Sequence, residues 1–257
     1  YGGINLEDIS APRCFEIEAR LRDLLDIPVF HDDQHGTAIV VLAALTNALK
    51  LVKKDLANTK IVLSGVGAAG TAVARLLIAN GAKNIIGFGK DGLIFADKGD
   101  SDPMRKWFVE NCSPGSFRGD LSAAMKDADI FIGVSAPNVL TESDVKSMAK
   151  GGIVFALANP DPEIDPVIAR RHAAVVATGR SDQPNQINNV LAFPGIFRGL
   201  LDGHITKITD KMLVLAAEAI ASCVSDEQLN ANFIVPSVFD LNVVQKVAAA
   251  VKKSSKE

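Results

Sequence analysis

Two groups of residues in this sequence have types and spacings that imply chemistry. The first is Gly65-Val66-Gly67-Ala68-Ala69-Gly70, three glycines spaced Gly-x-Gly-x-x-Gly after the β-branched run Ile61-Val62-Leu63 and ahead of a helical pattern. In that context Gly65 permits a tight turn, Gly67 lets a pyrophosphate approach the backbone, and Gly70 allows the helix to pack close to the strand. The unpaired N–H groups and positive dipole end of the following helix favour the anion. The turn therefore predicts a nicotinamide dinucleotide as ligand. The second group is Glu7-Asp8 and Asp32-Asp33, two acidic pairs in polar segments on either side of one helical stretch. Carboxylates folded toward a common point repel one another unless a cation neutralises them. Oxygen-only ligands suit Mg²⁺ or Mn²⁺ rather than Zn²⁺. Spacing alone leaves helix caps and solvated loops as an equal explanation of these acids.

The strand that should follow the glycine turn's helix ends Gly87-Phe88-Gly89-Lys90-Asp91-Gly92. A dinucleotide site selective for NAD ordinarily carries an acid there to hold the adenosine ribose. Gly89 offers no carboxylate to repel a 2′-phosphate and Lys90 can meet one, so the sequence favours NADP, while Asp91 keeps NAD open.

The elements that must position these groups are legible in outline. Residues 12–25 have helical periodicity with Pro12 in the first turn, 27–30 read as extended, and 31–37 as a polar corner. Residues 38–52 are apolar nearly all round, as in a buried helix. From Lys60 onward the chain alternates: strand 61–63, helix 71–80 and strand 84–88 form a βαβ unit, and further short apolar runs follow at 129–134, 152–157 and 173–177. Thr141 and Asp144 have capping-box spacing. Five strands alternating with helices predict an α/β fold, a Rossmann-like doubly wound and mostly parallel sheet, with ligands at the strand carboxyl ends. Thr37, at the start of the apolar helix, and Ser135, just beyond the 129–134 strand, fall on that cofactor side. After Gly179 the strand pattern gives way to helices at 188–201, 210–224 and 241–252, and a polar tail closes the chain.

Composition excludes several classes of function. The 257 residues are 48% apolar and carry a net charge of −3 from 27 basic and 30 acidic side chains. No basic stripe exists to track a nucleic acid. The longest apolar stretch, 37–49, is interrupted by Thr46 and Asn47 and falls short of the about 20 residues that span a bilayer. Cys14, Cys112 and Cys223 lack metal-ligand or disulfide spacing and read as reduced thiols of a cytoplasmic protein. No leader pattern opens the chain, and Tyr1-Gly2-Gly3 reads as the middle of a longer sequence.

Taken together, these residues resemble the malic enzymes, which oxidatively decarboxylate malate to pyruvate and carbon dioxide using NAD(P) and a divalent cation. Asn5-Leu6-Glu7-Asp8 looks like that family's metal-binding segment and Phe30-His31-Asp32-Asp33-Gln34-His35-Gly36-Thr37-Ala38 like its second acidic signature. Phe155-Ala156-Leu157-Ala158-Asn159-Pro160, and Gln186-Ile187-Asn188-Asn189-Val190 with Phe193-Pro194-Gly195, are similar to its two asparagine motifs. The resemblance implies Glu7, Asp8 and Asp33 as metal ligands and Asp32 as a supporting catalytic residue beside them. It implies Asn159 and one of Asn188 and Asn189 as amide contacts to malate and the nicotinamide ribose. It also implies a homodimer or higher oligomer, formed in part through the N-terminal helices. The family's general base, general acid and substrate arginine are a Lys, a Tyr and an Arg expected upstream of the Glu-Asp segment. Tyr1, the only tyrosine, does not match the family's acid, and Lys53, Lys54 and Lys60 read as solvated positions. His31 and His35 read as structural neighbours of the acids.

The expected organisation is therefore a metal-binding remainder of a catalytic domain (1–36), an NAD(P)-binding domain (37–203) and C-terminal helices packing back on the core (204–257). On this reading the chain alone binds NAD(P) but turns malate over poorly. Two alternatives stand beside it: a malolactic enzyme, told apart by lactate in place of pyruvate, and a non-catalytic dinucleotide-binding module, for which loss of Asp33 changes nothing measurable. A shikimate- or glutamate-type dehydrogenase domain predicts the glycine turn but not the acidic and asparagine motifs.

Overall fold

A computed structural model describes residues 1–95, 103–112 and 115–254. The chain opens with β1 (Ile4–Leu6), crosses over through α1 (Arg13–Leu24) and returns as β2 (Val29–His31), the two strands pairing in parallel with Asn5 opposite Phe30. The sequence did not announce β1, because three residues are too few to show a period of two. Residues 32–36 are not a polar corner. Asp32–Gly36 form one π-helical turn, with the Thr37 N–H bonded back to the Asp32 carbonyl, and run directly into α2 (Thr37–Val52). Isolated π turns are rare and concentrate at functional sites, because the wider turn re-aims the side chains it carries.

α2 is the core helix. From Ala38 to Leu45 every residue is buried, and the buried Asn47 amide is satisfied by the carbonyls of Ala221 and Ile234 at 3.1 and 2.9 Å. Among the described residues it belongs to the one helical stretch long and apolar enough to cross a bilayer, and it lies inside the protein. Lys53 ends the helix in the left-handed conformation, as a C-terminal cap.

The alternating part follows as β3 (Lys60–Ser64), α3 (Ala68–Ala79), β4 (Asn84–Gly89), β5 (Gly92–Leu93), α4 (Pro103–Asn111), α5 (Leu121–Met125), β6 (Ile130–Gly133), α6 (Glu142–Lys146), β7 (Ile153–Ala156), α7 (Pro166–Ala169) and β8 (Val175–Thr178). These strands form one sheet in the order β5-β4-β3-β6-β7-β8, parallel throughout except for β5, which hairpins back on β4. The expected five strands are present, with the two-residue β5 added. At α6 the Thr141–Asp144 capping box makes both of its reciprocal bonds.

Register explains why the strands read as almost continuous apolar runs. Ile61, Leu63, Ile85, Ile130, Ile132, Ile153 and Phe155 point to one face and join a core with α2 and α3, while Val62, Ile86, Phe131, Val154 and Val176 point to the other, against Met125, Leu140 and Ile164. Both faces are covered, so neither alternation partner can be polar.

The C-terminal region is α8 (Phe193–Asp202), α9 (Asp210–Ala221) and α10 (Leu241–Ser254), and all three share the α2–α3 core. The single helix expected over 188–201 is split. Asn189–Leu191 form a 3₁₀ turn and α8 restarts at Phe193, since Pro194 has no N–H to continue a helix through it but fits a first turn. The three cysteines are free thiols. Of the polar tail, Lys252 to Ser254 belong to α10, and residues 255–257 lie outside the described residues.

Candidate cofactor and metal site

The strand order reverses between β3 and β6, and this is where a doubly wound sheet leaves a crevice at its carboxyl end. The glycine turn fills the β3–α3 connection there. Gly65 has φ of +97°, a left-handed conformation that suits only glycine readily, and its N–H bonds to the Phe88 carbonyl at 2.8 Å. A Cβ on Gly70 would fall well inside van der Waals distance of the Gly65 carbonyl, so the helix can approach the strand this closely only without one. At Gly67 the opposite holds: a Cβ would meet nothing within 4 Å. That open space before the first turn of α3 is the cradle a pyrophosphate needs, so the residues present fit a dinucleotide.

Two adjoining clefts flank the turn. The outer one, about 670 Å³, is lined by Gly65, Val66 and Gly67 on one side and by Gly89, Lys90, Asp91 and Arg105 on the other. The inner one, about 440 Å³, is lined by Asp33, Thr37, Ala69, Ala158, Asn159, Asn188 and Asn189. Ser135 borders both, and its hydroxyl meets that of Ser64 at 2.9 Å. Ala68, the first residue of α3, is half-buried beside them. In doubly wound dinucleotide-binding folds the adenosine half lies at the end of the strand equivalent to β4, on the side of the outer cleft, and the nicotinamide half lies across the switch point, on the side of the inner cleft.

The acidic segments meet beneath the inner cleft. Asp8, left-handed with φ of 56°, turns the chain after β1 so that its N–H reaches the Asp33 carboxylate at 2.8 Å, which ties the two acidic pairs together across 25 residues. Glu7 is exposed and takes a bond from the Asn5 amide at 2.7 Å. Asp32 is buried, and its burial, with the charges of Glu7 and Asp33 adding to it, lifts its carboxyl from 3.8 to about 7. One Asp32 oxygen accepts from the Asn189 amide and the other is buried with no hydrogen-bond partner. The donors offered by Glu7, Asp8 and Asp33 are carboxylate oxygens, the chemistry that suits a hard divalent cation. Among the described residues, though, no three His, Cys, Asp or Glu side chains converge at ligand distance.

A polar chain missed in the sequence holds this turn from behind. Glu18, buried on α1, accepts from the Gln34 amide at 3.1 Å and pairs with His35 at 2.6 Å and Arg22 at 3.6 Å. Burial would raise the Glu18 pKa, but the hydrogen bond from His35 and the charges of His35, Arg22 and His31 outweigh it and hold it below 4.5. His31 in turn contacts Gln34 and lies 3.4 Å from Asp33, and burial depresses its own pKa. Both histidines lie beside the acidic turn, His31 against Gln34 and Asp33 and His35 against Glu18. Lys54 and Lys60 are tied elsewhere: Lys54 bonds Asp129 at 2.6 Å and Lys60 the Lys126 carbonyl at 2.6 Å.

The asparagines divide. Asn159 is exposed at the inner cleft, Asn188 caps the 3₁₀ turn by accepting from the Val190 N–H at 3.0 Å, and Asn189 is committed to Asp32. Besides Glu18, sequence reasoning missed two residues. Arg105, on α4, borders the outer cleft next to Lys90 and lies 3.8 Å from Asp91. Glu163 is buried against the ends of β6 and β7. Nothing local marks either one, since each reaches its place through chain reversals.

Comparison with known proteins agrees with this fold. Residues 34–256 match the family model described as the NAD-binding domain of malic enzyme. The chain is 55% identical to an NAD-dependent malic enzyme of Geobacillus stearothermophilus, over 99% of this chain and 53% of that protein. It is 49% identical to a bifunctional malic/malolactic enzyme of Bacillus subtilis, over 100% of this chain and 63% of that protein. Identity is 45% to an NADP-dependent malic enzyme of Rhizobium meliloti, over 100% of this chain and 36% of that protein. The chain thus spans about half the length of these relatives. Among solved structures, an NAD-dependent malic enzyme of Thermotoga maritima superposes with a TM-score of 0.93 at 45% identity, covering 98% of this chain and 67% of that one.

Proposed function

The chain belongs to the malic enzyme family, and from that premise we propose that it is the cofactor- and metal-holding part of an enzyme that oxidatively decarboxylates malate to pyruvate and carbon dioxide with reduction of NAD(P). The observation that carries the reading is the inner cleft, where Asp33, Thr37, Asn159 and Asn188 face the space beside the glycine turn. When bound, a nicotinamide would supply the hydride acceptor, and a divalent cation would supply Lewis acidity toward the malate 2-hydroxyl and the charge developed on decarboxylation.

The chain's own residues hold and orient. The N–H groups opening α3 and the bare Gly67 backbone receive the pyrophosphate. Glu7, Asp8 and Asp33 would hold the cation. Asp32, elevated in pKa and bonded to Asn189, is a supporting group beside them rather than a ligand, and Asn159 and Asn188 offer amides to malate and the nicotinamide ribose. At the outer cleft, Lys90 and Arg105 with no acid at Gly89 favour the 2′-phosphate of NADP, against the single carboxylate of Asp91. Exposed Ile17 and Leu24 on α1 support assembly as a homodimer or larger oligomer through this region.

Titration of the 257-residue chain with NADPH and NADH tests the cofactor assignment: binding with NADPH the tighter is expected, and a clear preference for NADH overturns the NADP choice. Malate turnover by these 257 residues alone is expected to be poor, and robust metal-dependent pyruvate formation would overturn that. Similarity to a bifunctional malic/malolactic enzyme favours one second reading, release of lactate. Product analysis of the parent enzyme for pyruvate against lactate separates the two.

A further inference from the structure

We propose that Glu163 is the positioning residue that fixes the two loops walling the nicotinamide side of the cleft, an inference that rests on the inner cleft's being the nicotinamide end. Beyond the ends of β6 and β7 the sheet still satisfies the Val134 N–H, through the Ser64 carbonyl, and the Leu157 N–H, through the Gly133 carbonyl, each at 2.9 Å. The next N–H along each strand, Ser135 and Ala158, has passed the last ladder position. Glu163 takes over there. It is fully buried, and its Oε1 accepts from the Ser135 N–H at 2.8 Å and the Ser135 hydroxyl at 3.1 Å, while its Oε2 accepts from the Ala158 N–H at 3.0 Å. One carboxylate thus ties the loop after β6 to the loop after β7.

The relay extends to the glycine turn. With its own proton given to Glu163, the Ser135 hydroxyl accepts from the Ser64 hydroxyl, one residue ahead of Gly65. Gly133 makes room for the arrangement, since a Cβ there would collide with the Glu163 carboxyl group. The geometry also sets a direction for the effect. Ser135 borders both clefts, but Ala158 and Asn159 border only the inner one, so release of these loops disturbs the nicotinamide end more than the adenosine end.

The test uses the 257-residue chain with two probes: whichever of NADH and NADPH the unsubstituted chain binds more tightly, and the matching ADP-ribose or its 2′-phosphate, which occupies only the adenosine and pyrophosphate positions. In Glu163→Gln one acceptor oxygen becomes an NH₂ group facing an N–H donor, so one loop is released. The expected result is a loss of about tenfold or more in reduced-dinucleotide affinity, the scale of one hydrogen bond to a charged group, with ADP-ribose affinity changed by less than about threefold. Equal losses for the two probes, or none for the dinucleotide, would overturn the proposal. Should Glu163→Gln fail to fold, Glu163→Asp decides: its shorter side chain reaches one loop at a time, so the same split is expected and its absence is equally fatal. A parent chain that binds no reduced dinucleotide sinks the cofactor reading, and this inference with it, before any substitution is made.

Discussion

The glycine turn and the acidic turn lie on either side of the inner cleft and are built in opposite ways. The glycine turn is six consecutive residues whose conformation is dictated by sterics within the β3–α3 unit and the strand ends beside it, and it is preformed. The acidic turn brings Asp8 to Asp33 across 25 residues, leans on Glu18 of a third element, and leaves an Asp32 oxygen buried without a partner. A local device can be complete by itself. A device assembled from distant carboxylates carries mutual repulsion, which shows here in the raised Asp32 carboxyl and which protonation or a cation relieves.

Substitutions can break or sharpen that contrast. The largest effect is expected for Gly70→Ala, whose methyl must displace the Gly65 carbonyl: a loss of about 3 kcal/mol in urea unfolding, with dinucleotide binding lost alongside. If stability is unchanged, the turn is less rigid than its packing implies. Next, Asp33→Asn should weaken Mn²⁺ binding by more than about tenfold while leaving NAD(P)H affinity near that of the parent, because ligand charge sets cation affinity and the glycine turn is separate. Equal loss of both would mean that the two turns act as one unit.

Gly67→Ala isolates function from fold. With nothing within 4 Å of the added methyl, stability should stay within about 0.5 kcal/mol while NAD(P)H affinity falls about tenfold, since the methyl occupies the pyrophosphate approach. The smallest effect concerns Glu18. Its folded-state pKa lies below its ordinary 4.5, so the unfolded chain binds more protons below that pH and stability is lost as pH falls through the folded value. Above 4.5 the contribution is fully present. Glu18→Gln should therefore flatten the acid limb of the stability curve, and an unaltered limb would show that His35 and Gln34 are held without it.

Much of this was legible before any coordinates. The β3–α3–β4 unit and the buried α2 showed in the sequence because their periodicities, and the glycine spacing, are set within a dozen neighbouring residues. The break before α8 was missed although Pro194 marks it, because the apolar run on either side masks a one-residue interruption. The π turn at Asp32–Gly36 was also invisible as such: its residues are polar, and nothing in their order separates a corner from a widened helical turn.

The sequence by itself determined the sheet, the glycine turn, the acidic and amide residue types and, through their combined motifs, the family. Only the tertiary structure decided that Asn189, at the wall of the inner cleft, is bonded to Asp32, that Arg105 joins Lys90, that Glu18 holds Gln34, and that Glu163 ties the loop after β6 to the loop after β7. The physical reason is common to all four. Each is a polar side chain whose partners lie on other elements, so its role is fixed by where the packed helices and strands bring the chain together, and no local periodicity encodes that meeting.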